Sequence, residues 1–550
     1  MKKNIHCNKE DHDQWSRKSF LQTLGLAGVG GMALGNSSVA FGSNSQLSEA
    51  LSTVNNDRIL VIVRLFGGND GLNTIVPVNQ YNLYADARPT LKIPENQLWT
   101  LKSGYAMPNY MGALQKLWGD GHMKVVNSVG YPNLSHSHFK GSDIWATADM
   151  GATQSTGIMG SYFEALHPDY LITPPDSPTA IEIGGRKNLT FYGENSKYSF
   201  HASSPAKLEH IANAGVTYDM KDLPTCVYGD RLSYVRGLAN STYKYSGVVS
   251  SAYKKSSDDT VGRGYATNDI GKSLGIASRL IKGGLGTKVY MITANGYDTH
   301  THQLLGHKEL MMNLSQSIAH FYDDLKRQGL QDKVLTMCVS EFGRRLKENG
   351  AQGTDHGSAG PVMLFGSGLN GNGVVGKHSS LKTEDLYDNN KHLQWHTDFR
   401  SVYESILTGW MQIDANTVKN IMLGGDFPNV DLGFSSNSKT GTFQSSSFSA
   451  KTSQLAATQT IANTVDARVI YGEDESYVSF NNTTSQNVNV TAYTFSGQQI
   501  GVIFDNFMLS GEQRIPLDMD KLTDLYAGRY YILRIHSDSF SISKKFVSRQ

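Results

Sequence analysis

The sequence predicts an α/β fold in which a mainly parallel sheet is flanked by helices, followed by a small C-terminal β-sandwich. Short apolar segments recur ahead of turn-rich segments. Before the apolar segment that begins at Val334, apolar residues repeat at the spacing of an amphipathic helix, at positions 314, 318, 321 and 325. Strands that alternate with helices form parallel sheets covered on both faces. The predicted strands are Ile59–Phe66, Val125–Val129, Val289–Thr293, Val334–Val339 and Val362–Phe365.

Length and composition restrict the class of protein. A chain of 550 residues exceeds one ordinary domain, so roughly two to four folding units are expected. The 50 basic and 49 acidic residues nearly cancel, which argues against a nucleic acid partner. Three cysteines, Cys7, Cys226 and Cys338, exclude a disulfide framework and a paired-cysteine metal site.

The N-terminal residues 1–42 have the order of a signal peptide. A polar segment containing Arg17 and Lys18 precedes the apolar run Leu24–Leu34 and the small residues Ser37–Gly42. Ser16–Leu21 resembles the twin-arginine (Tat) export signal, with lysine in place of the second arginine. The alternative is an amphipathic helix of the mature protein. The apolar run is too short for a permanent membrane span, so we expect export without a transmembrane segment in the mature chain.

Three zones follow the signal peptide. Residues 57–433 form the α/β zone, within which the polar stretch 185–275 is expected to be an insertion with some helices. Residues 434–467 are rich in serine and threonine and are typical of a linker. In residues 468–550, Val488, Val490 and Ala492 alternate with polar residues at period two, and the segments 528–535 and 540–547 flank a turn. Short strands with turns indicate a small β-sandwich.

Groups able to bind a metal follow the main predicted strands. In open α/β sheets, ligands bind beyond the carboxyl ends of the strands. Each group alone has an ordinary explanation: an Asn-Asp-Gly turn, a helix N-cap serine, or a solvated histidine. Together they offer the oxygen and imidazole ligands that suit Zn²⁺, or Mn²⁺ and Mg²⁺ where carboxylates dominate. The residues are Asp70, Ser135, His136, Ser137, His138, Asp298, His300, His302, Glu341, Arg344, Asp355 and His356.

The segments that contain these residues resemble the DUF1501 family, which is placed in the alkaline phosphatase–sulfatase superfamily. The resemblance covers roughly residues 57–425 and implies an alkaline-phosphatase-like fold, two divalent metal ions and a hydroxyl or modified-cysteine nucleophile. No sulfatase Cys-x-Pro-Ser-Arg signature is present. The segments are LFGGNDGLNTIVP (65–77), SVGYPNLSHSHF (128–139), NGYDTHTHQ (295–303), SEFGRR (340–345), GTDHGSAGPVMLFG (353–366) and HTDFRSVYESIL (396–407).

The resemblance implies a set of metal ligands for Zn²⁺, or Mn²⁺, Mg²⁺ or Ca²⁺. Phe342 stands where the superfamily usually has a metal-binding histidine, and a histidine of the substrate-binding group, His136, His138 or His300, is the expected substitute. The ligands implied by motif position are Asp70, Asp298, His302, Glu341 and His356.

The resemblance places the nucleophile at a helix N-terminus, where the helix dipole favours an anion. Ser137 is preferred to Ser135 because it lies closer to the helical segment that starts at Phe139. Arg344 is expected to hold a substrate oxyanion or to form a surface ion pair. Asn69 and Asn73 are candidate donors to the same anion, whereas Thr397 and Asp398 are read first as N-cap residues of the following helix.

The last 80 or so residues resemble the C-terminal sorting domains of the type IX secretion system. The similarity lies in Leu525, the segment 527–532 and the run Lys544–Val547. It implies a Bacteroidota-type cell, contact with the secretion machinery, and passage from the periplasm to the cell surface or the medium. An accessory β-domain that binds sugar or the main domain is the alternative.

These expectations define three functions. The first is an exported metal-dependent hydrolase that acts on phosphate or sulfate esters of a small molecule or glycan through a serine nucleophile. The second is a surface binding or scaffold protein that keeps the fold without catalysis, to which Phe342 in place of a histidine points. The third is a phosphoryl transferase or mutase that uses the same nucleophile.

Overall fold

The computed structural model describes two stretches of the chain. These are residues 56–434, with gaps at 186–187, 216, 221–226, 257–264, 372, 389–390, 424 and 426, and residues 467–547, with gaps at 472–475, 483, 494–498, 518–521, 523–529 and 538–540. The predicted signal peptide (1–42) lies outside these ranges, as does the predicted linker (434–467) apart from its two end residues.

A nine-stranded sheet forms the centre of the larger region. Its order is β10-β4-β9-β8-β1-β7-β5-β6, with β11 paired to β4, and only β9 runs antiparallel to its neighbours. The strands of this region are β1 (Ile59–Leu65), the hairpin strands β2 (Leu98–Lys102) and β3 (Tyr105–Pro108), then β4 (Met123–Gly130), β5 (Ala180–Ile183), β6 (Ser199–His201), β7 (Val289–Ala294), β8 (Val334–Val339), β9 (Gly360–Phe365), β10 (Gly373–Val375) and β11 (Thr397–Asp398).

Helices cover both faces of the sheet, as the sequence predicts. On β1, Leu60 and Ile62 belong to one apolar core, and Val61 and Val63 belong to a second core on the opposite face. Helices α4 and α9 contribute to the first core, and α7 and α8 to the second. The helices are α1 (Tyr81–Ala87), α2 (Gln115–Gly119), α3 (His138–Thr147), α4 (Ile158–Leu166), α5 (Leu208–Ala214), α6 (Val227–Lys255), α7 (Asp269–Lys282), α8 (Gln303–Lys326), α9 (Phe399–Ser405) and α10 (Ala415–Ile421).

The apolar character of the strands explains this architecture. Strands buried on both faces are near-continuous apolar runs, and β1, β7 and β8 are buried along almost their whole length. Each fully buried aliphatic side chain stabilises the fold by about 1.5–3 kcal/mol. The five strands expected from the sequence are confirmed with ends within two residues, and the predicted amphipathic helix is α8.

The C-terminal region contains two antiparallel sheets around one core. One sheet has the order β12-β13-β16 and the other β15-β14-β17-β18, and side chains from both sheets, such as Val478 and Leu533, form a single apolar cluster. The predicted β-sandwich is thus confirmed. Its strands are β12 (Ala467–Tyr471), β13 (Ser476–Asn482), β14 (Gln486–Tyr493), β15 (Gln499–Met508), β16 (Gly511–Pro516), β17 (Tyr530–Ser537) and β18 (Ser541–Val547).

The polar stretch 185–275 contains β6, α5, α6 and the first half of α7 among its described residues. None of the helices that the structure describes has the length and apolar character to cross a membrane.

Candidate metal centre

The site lies at the edge of the sheet where β1, β4, β7 and β8 end. These strands run parallel, directly or through β9, so the loops that follow them meet at one edge. Strand β9 runs the opposite way, and the loop that precedes it reaches the same edge. The loop that follows β8 is the same one that precedes β9. Four loops therefore converge, each with at least one of the polar residues expected from the sequence.

The carboxylate of Asp298 lies among three imidazoles. Its Oδ1 atom is 3.0 Å from Nε2 of His300 and 3.1 Å from Nε2 of His356, and its Oδ2 atom is 3.3 Å from Nε2 of His138. The two Nε2 atoms of His300 and His356 are 2.9 Å apart. Ligand atoms of His138, Asp298 and His356 all lie within 4.8 Å of one another. His300 adjoins this group of three through Asp298 and His356, so four potential metal ligands lie side by side.

The other ring nitrogen of each histidine has a partner behind it. Nδ1 of His138 is 2.8 Å from Oε1 of Glu341, and Nδ1 of His356 donates to the carbonyl of His136 at 2.8 Å. Nδ1 of His300 is 3.7 Å from a carboxylate oxygen of Asp355. Metal-binding histidines characteristically donate their second N–H to a carboxylate or carbonyl, which fixes the ring and leaves the first nitrogen for the metal.

The chemistry of the cluster fits a divalent metal ion. Nε2 of His138 is buried, and its contact with Asp298 lacks hydrogen-bond geometry, so it has no hydrogen-bond partner among the described residues. A buried nitrogen without a partner is costly unless a ligand completes it. Three imidazole nitrogens and one carboxylate are a donor set that favours Zn²⁺ over Mg²⁺ or Ca²⁺.

Charge in the cluster also favours metal binding at neutral pH. Burial raises the pKa of Asp298, but the hydrogen bond from Arg344 and the contact with His356 outweigh it and lower the pKa to about 2. Burial lowers the pKa of His356, so its ring is neutral at pH 7. The hydrogen bond with Glu341 raises the pKa of His138. A metal ion at this point therefore meets an ionised carboxylate and a neutral imidazole, and displaces any proton on His138.

Glycine 67 allows the β1 loop to approach Asp298. Its φ is +129°, and a Cβ atom there would lie 2.2 Å from the backbone nitrogen of Asp298. Only glycine tolerates both conditions. The adjacent glycine, Gly68, faces the Phe342 ring, which a Cβ atom would meet at 2.4 Å.

Arg344 lies beneath the cluster with a fully buried guanidinium. It donates to the carbonyls of Gly68 and Thr354, each at 2.7 Å, and to that of Gly67, and it reaches Oδ1 of Asp298 at 2.6 Å. Its N–H groups thus join three of the four loops and orient Asp298. The structure shows no side of this guanidinium turned to solvent.

Glu341 is also buried and backs the cluster. Its Oε1 atom accepts from the backbone N–H of Gly67 at 2.8 Å and contacts His138. Phe342, which follows it, packs its ring against the rings of His138 and His356, with centroids 4.9 and 4.8 Å apart. The residue that replaces an expected histidine therefore forms an apolar wall against the two imidazoles.

Asp70 lies apart from the imidazoles. It is fully buried, accepts from Arg88 at 2.6 Å and from Gln303 on Oδ2, and accepts the backbone N–H of Leu72 on Oδ1 at 3.1 Å. Both oxygens are thus occupied by donors of the protein.

Two further predicted residues are likewise buried in hydrogen bonds. Asn69 accepts from His307 and donates to Thr74, and Asn73 accepts from Arg88 and donates to the carbonyl of Leu91. The oxygen and the nitrogen of each amide are thus both engaged by protein groups.

His302 and His136 flank the cluster without joining its four ligands. His302 adopts a left-handed conformation, φ 45°, is exposed, and precedes α8 as its N-cap residue. The His136 ring stacks on His392 with centroids 4.4 Å apart, and its backbone carbonyl orients His356. Burial, the largest cause, lowers the pKa of both stacked rings, that of His392 to about 4.

The two candidate nucleophiles lie next to His138. Ser137 is exposed and is the N-cap residue of α3, where its hydroxyl accepts from the backbone N–H of Lys140 at 3.5 Å. Ser135 accepts from the backbone N–H of Ser137 at 3.3 Å. Asp398 is the N-cap residue of α9, as expected, through the backbone N–H of Arg400.

The structure thus brings together Asp298 and His356 from the predicted ligand set, and His138 and His300 from the predicted substrate-binding set. Glu341 lies behind these residues, in contact with Nδ1 of His138. Sequence reasoning did not predict the packing of Phe342 on the imidazoles or the contact of Asp355 with His300. Phe342 follows Glu341 and Asp355 precedes His356, and these positions are the signal that could have indicated both contacts.

Comparison with known proteins gives a family match. Residues 245–422 match the sequence profile of a family described as "Protein of unknown function (DUF1501)", which confirms the predicted resemblance for the motifs within that range. The match covers less than half of the chain. It includes Asp298, His300 and His356 and excludes His138. No curated protein matches the chain.

Two solved structures are distantly similar. The lipoteichoic acid synthase LtaP from Listeria monocytogenes is 13% identical over 65% of this chain and 74% of that one, with a TM-score of 0.23. An alkaline phosphatase from the Antarctic bacterium TAB5 is 9% identical over 67% of this chain and 99% of that one, with a TM-score of 0.22. Similarity at this level supports no conclusion about activity or substrate.

Proposed function

We propose that the protein is a metal-dependent hydrolase of phosphoric or sulfuric esters, within the alkaline phosphatase–sulfatase superfamily. One observation carries the proposal: His138, His300 and His356 direct their Nε2 atoms at the carboxylate of Asp298, and the second nitrogen of each ring faces an acceptor. The position of this cluster, at the carboxyl edge of a mainly parallel sheet, supports an active site.

The four residues would hold a divalent ion, most readily Zn²⁺. When bound, such an ion supplies positive charge that polarises an ester oxygen and stabilises the charge that develops on it. Glu341 and the carbonyl of His136 fix the rings of His138 and His356. Arg344 fixes Asp298 from below. Phe342 covers the inner side of the imidazoles with an apolar ring and keeps water from that side.

Access to the cluster favours transfer to water. The side chains of Asp298 and His300 are 46% and 41% exposed, so an ester and water both reach them from the solvent side. The net reaction breaks the bond between the ester oxygen and phosphorus or sulfur, adds the oxygen of water to that atom, and releases an alcohol. Transfer to a second alcohol would need an acceptor site that excludes water, and the open face argues against it.

Ser137 is the proposed nucleophile. Its hydroxyl is exposed at the N-terminus of α3, one residue before His138. Backbone N–H groups and the dipole of that helix favour an anionic ester and an anionic oxygen there. Ser135, two residues earlier, is the alternative, and replacing each serine singly distinguishes the two.

The test uses the purified chain with 4-nitrophenyl phosphate and 4-nitrophenyl sulfate. We expect metal analysis after dialysis to find about one tightly held ion per chain, as the four-ligand set implies, and hydrolysis of one ester that chelator stops and Zn²⁺ restores. Ser137→Ala should lower kcat and Ser135→Ala should not. A metal-free protein that is inactive with every divalent ion would refute the hydrolase. Equal activity of both serine variants and the wild type would refute only the serine nucleophile.

We further propose that the chain is exported through residues 1–42 and then passed to the surface through residues 468–550. The order of polar, apolar and small residues supports the first step, and the strands after residue 467 with the 527–532 motif support the second. Replacing Arg17 and Lys18 by glutamine should keep the protein in the cytoplasm, whereas the same change at Lys2 and Lys3 should not. Export of both variants alike would contradict the Tat-like signal.

A further inference from the structure

A buried hydrogen-bond network lies beneath the metal centre, and the proposed reaction does not use it. We call it the Gln303 network. All its members are buried, with at most 8% of any one exposed. Its centre is the side-chain amide of Gln303, the first residue of α8. Its members are Asp70, Arg88, Thr299, Gln303 and Thr354.

The amide oxygen of Gln303 joins the two loops that carry three of the four proposed ligands. It accepts from the hydroxyl of Thr299 at 2.9 Å and from the hydroxyl of Thr354 at 2.6 Å. Thr299 stands between Asp298 and His300, and Thr354 comes two residues before His356. The backbone N–H of Thr354 also donates to the carbonyl of Thr299 at 3.1 Å. The two loops are therefore tied side by side directly below the ligands.

Asp70 determines the orientation of that amide. The carboxylate of Asp70 accepts only, so the amide NH₂ of Gln303 must face it and the amide oxygen must face the two hydroxyls. Arg88, at 2.6 Å from the same carboxylate oxygen, holds Asp70 ionised and in place. If the Gln303 amide were flipped, its NH₂ group would face the hydroxyls of Thr299 and Thr354. Those hydroxyls would then lose the acceptor that they share.

We propose that Gln303, anchored by Asp70, is a positioning residue that sets the separation of His300 and His356. It touches no proposed ligand side chain and acts through the threonines next to them. The two Nε2 atoms are 2.9 Å apart, and the amide oxygen of Gln303 is the side-chain acceptor that their two loops share. The inference rests on the proposed metal centre and gives Asp70 a role other than metal ligation.

The measurement is the affinity of the full chain for Zn²⁺, by competition with a chromogenic chelator. Gln303→Leu removes the shared acceptor at similar volume, and the affinity should fall by about 10- to 100-fold, the range seen for residues behind metal ligands. A pair of variants at Thr354 isolates the contribution of its hydroxyl. Thr354→Val keeps the shape and loses the hydroxyl, and should lower the affinity by about 10-fold. Thr354→Ser keeps the hydroxyl and should retain the wild-type affinity.

Ser278→Ala is the control for general loss of stability. It removes an equally buried hydroxyl, 2.5 Å from the carboxylate of Asp324 between α7 and α8, and should leave Zn²⁺ affinity unchanged. If Gln303→Leu does not fold, the Thr354 pair decides. Wild-type Zn²⁺ affinity in Thr354→Val would overturn the positioning role. So would losses of affinity in Thr354→Ser and Ser278→Ala as large as the loss in Thr354→Val. A wild-type chain that binds no metal would instead refute the metal centre itself.

Discussion

Asp70 and Asp298 follow the neighbouring strands β1 and β7, which end at the same edge of the sheet. The surroundings of the two residues nevertheless differ. Asp70 is fully buried, and Arg88, Gln303 and two backbone N–H groups fill both of its oxygens. The side chain of Asp298 is 46% exposed, and the Nε2 atoms of His138, His300 and His356 face it. Both residues were expected to be metal ligands from the family's motifs.

The comparison shows how a structural carboxylate differs from one suited to a metal. Donors of the protein satisfy Asp70 completely, and a metal ion there would have to displace a buried arginine. Asp298 has only one permanent N–H donor, Arg344, and its remaining neighbours are groups that can change from hydrogen-bond partner to metal ligand. The same substitution should therefore act mainly on metal affinity at Asp298 and mainly on stability at Asp70.

Asp298→Asn should remove metal binding and leave the fold largely intact. Water screens the half-exposed carboxylate, and the buried Arg344 still donates to the carbonyls of Gly67, Gly68 and Thr354. We therefore expect a loss of unfolding free energy of about 1 kcal/mol or less. The amide is a poor ligand for Zn²⁺, and affinity should fall by more than about 1,000-fold, beyond the effect of a residue behind the ligands. Metal titration and urea unfolding test the two parts. Wild-type affinity in this variant would contradict the proposed ligand set.

Asp70→Asn should instead destabilise the fold. It removes the charge that offsets buried Arg88, and breaking a buried ion pair on one side costs about 3–5 kcal/mol. Urea unfolding in the presence of chelator measures this loss without a contribution from metal. Because Asp70 also anchors Gln303, Zn²⁺ affinity should fall, but by less than in Asp298→Asn. A variant as stable as the wild type would refute the buried pair as a stabilising contact.

The sheet was predictable because its strands leave a direct trace in the sequence. Strands such as β1, β7 and β8 are buried on both faces and are therefore apolar almost throughout. The amphipathic repeat of α8 has the same physical origin. The antiparallel direction of β9 could not be read from the sequence, because an apolar segment of this length carries no sign of direction.

The site was predictable in part. Sequence position places Asp298 and His356 at the right edge of the sheet, but the choice among histidines within a loop depends on the backbone. His302 adopts φ 45° and is the N-cap residue of α8, while His300, two residues earlier, reaches the cluster. Likewise, nothing in the order Ser340-Glu341-Phe342 shows that Glu341 accepts from Gly67, which is 274 residues away in the chain. Such pairings exist only after the loops meet.

Glu341→Gln tests the difference between a ligand and a residue that orients a ligand. The amide oxygen can still accept from Nδ1 of His138, but the charge is lost, and Zn²⁺ affinity should fall by about 10- to 100-fold. Glu348→Gln is the matched control, because that carboxylate accepts from the backbone N–H groups of Thr90 and Leu91 and touches no imidazole. A loss as large as that of Asp298→Asn would make Glu341 a direct ligand.

The smallest expected difference between Asp70 and Asp298 is in how the stability of the fold depends on pH, and it should still be measurable. Burial raises the pKa of Asp70, but the charge of Arg88 outweighs it and the net pKa is lowered. A carboxyl whose pKa is lower in the folded state stabilises the fold above its unfolded pKa of about 3.9, and that stability is lost as the pH falls further.

The difference in unfolding free energy between the wild type and Asp70→Asn should thus be constant from pH 7 to 5. Below pH 4 it should shrink by at most about 1.4 kcal/mol for each pH unit. Chelator-treated protein, unfolded with urea at a series of pH values, gives this curve. Asp298→Asn should follow the same direction with a smaller amplitude, because half of that side chain is in water. A difference for Asp70 that grows toward low pH would mean that Arg88 does not hold it ionised.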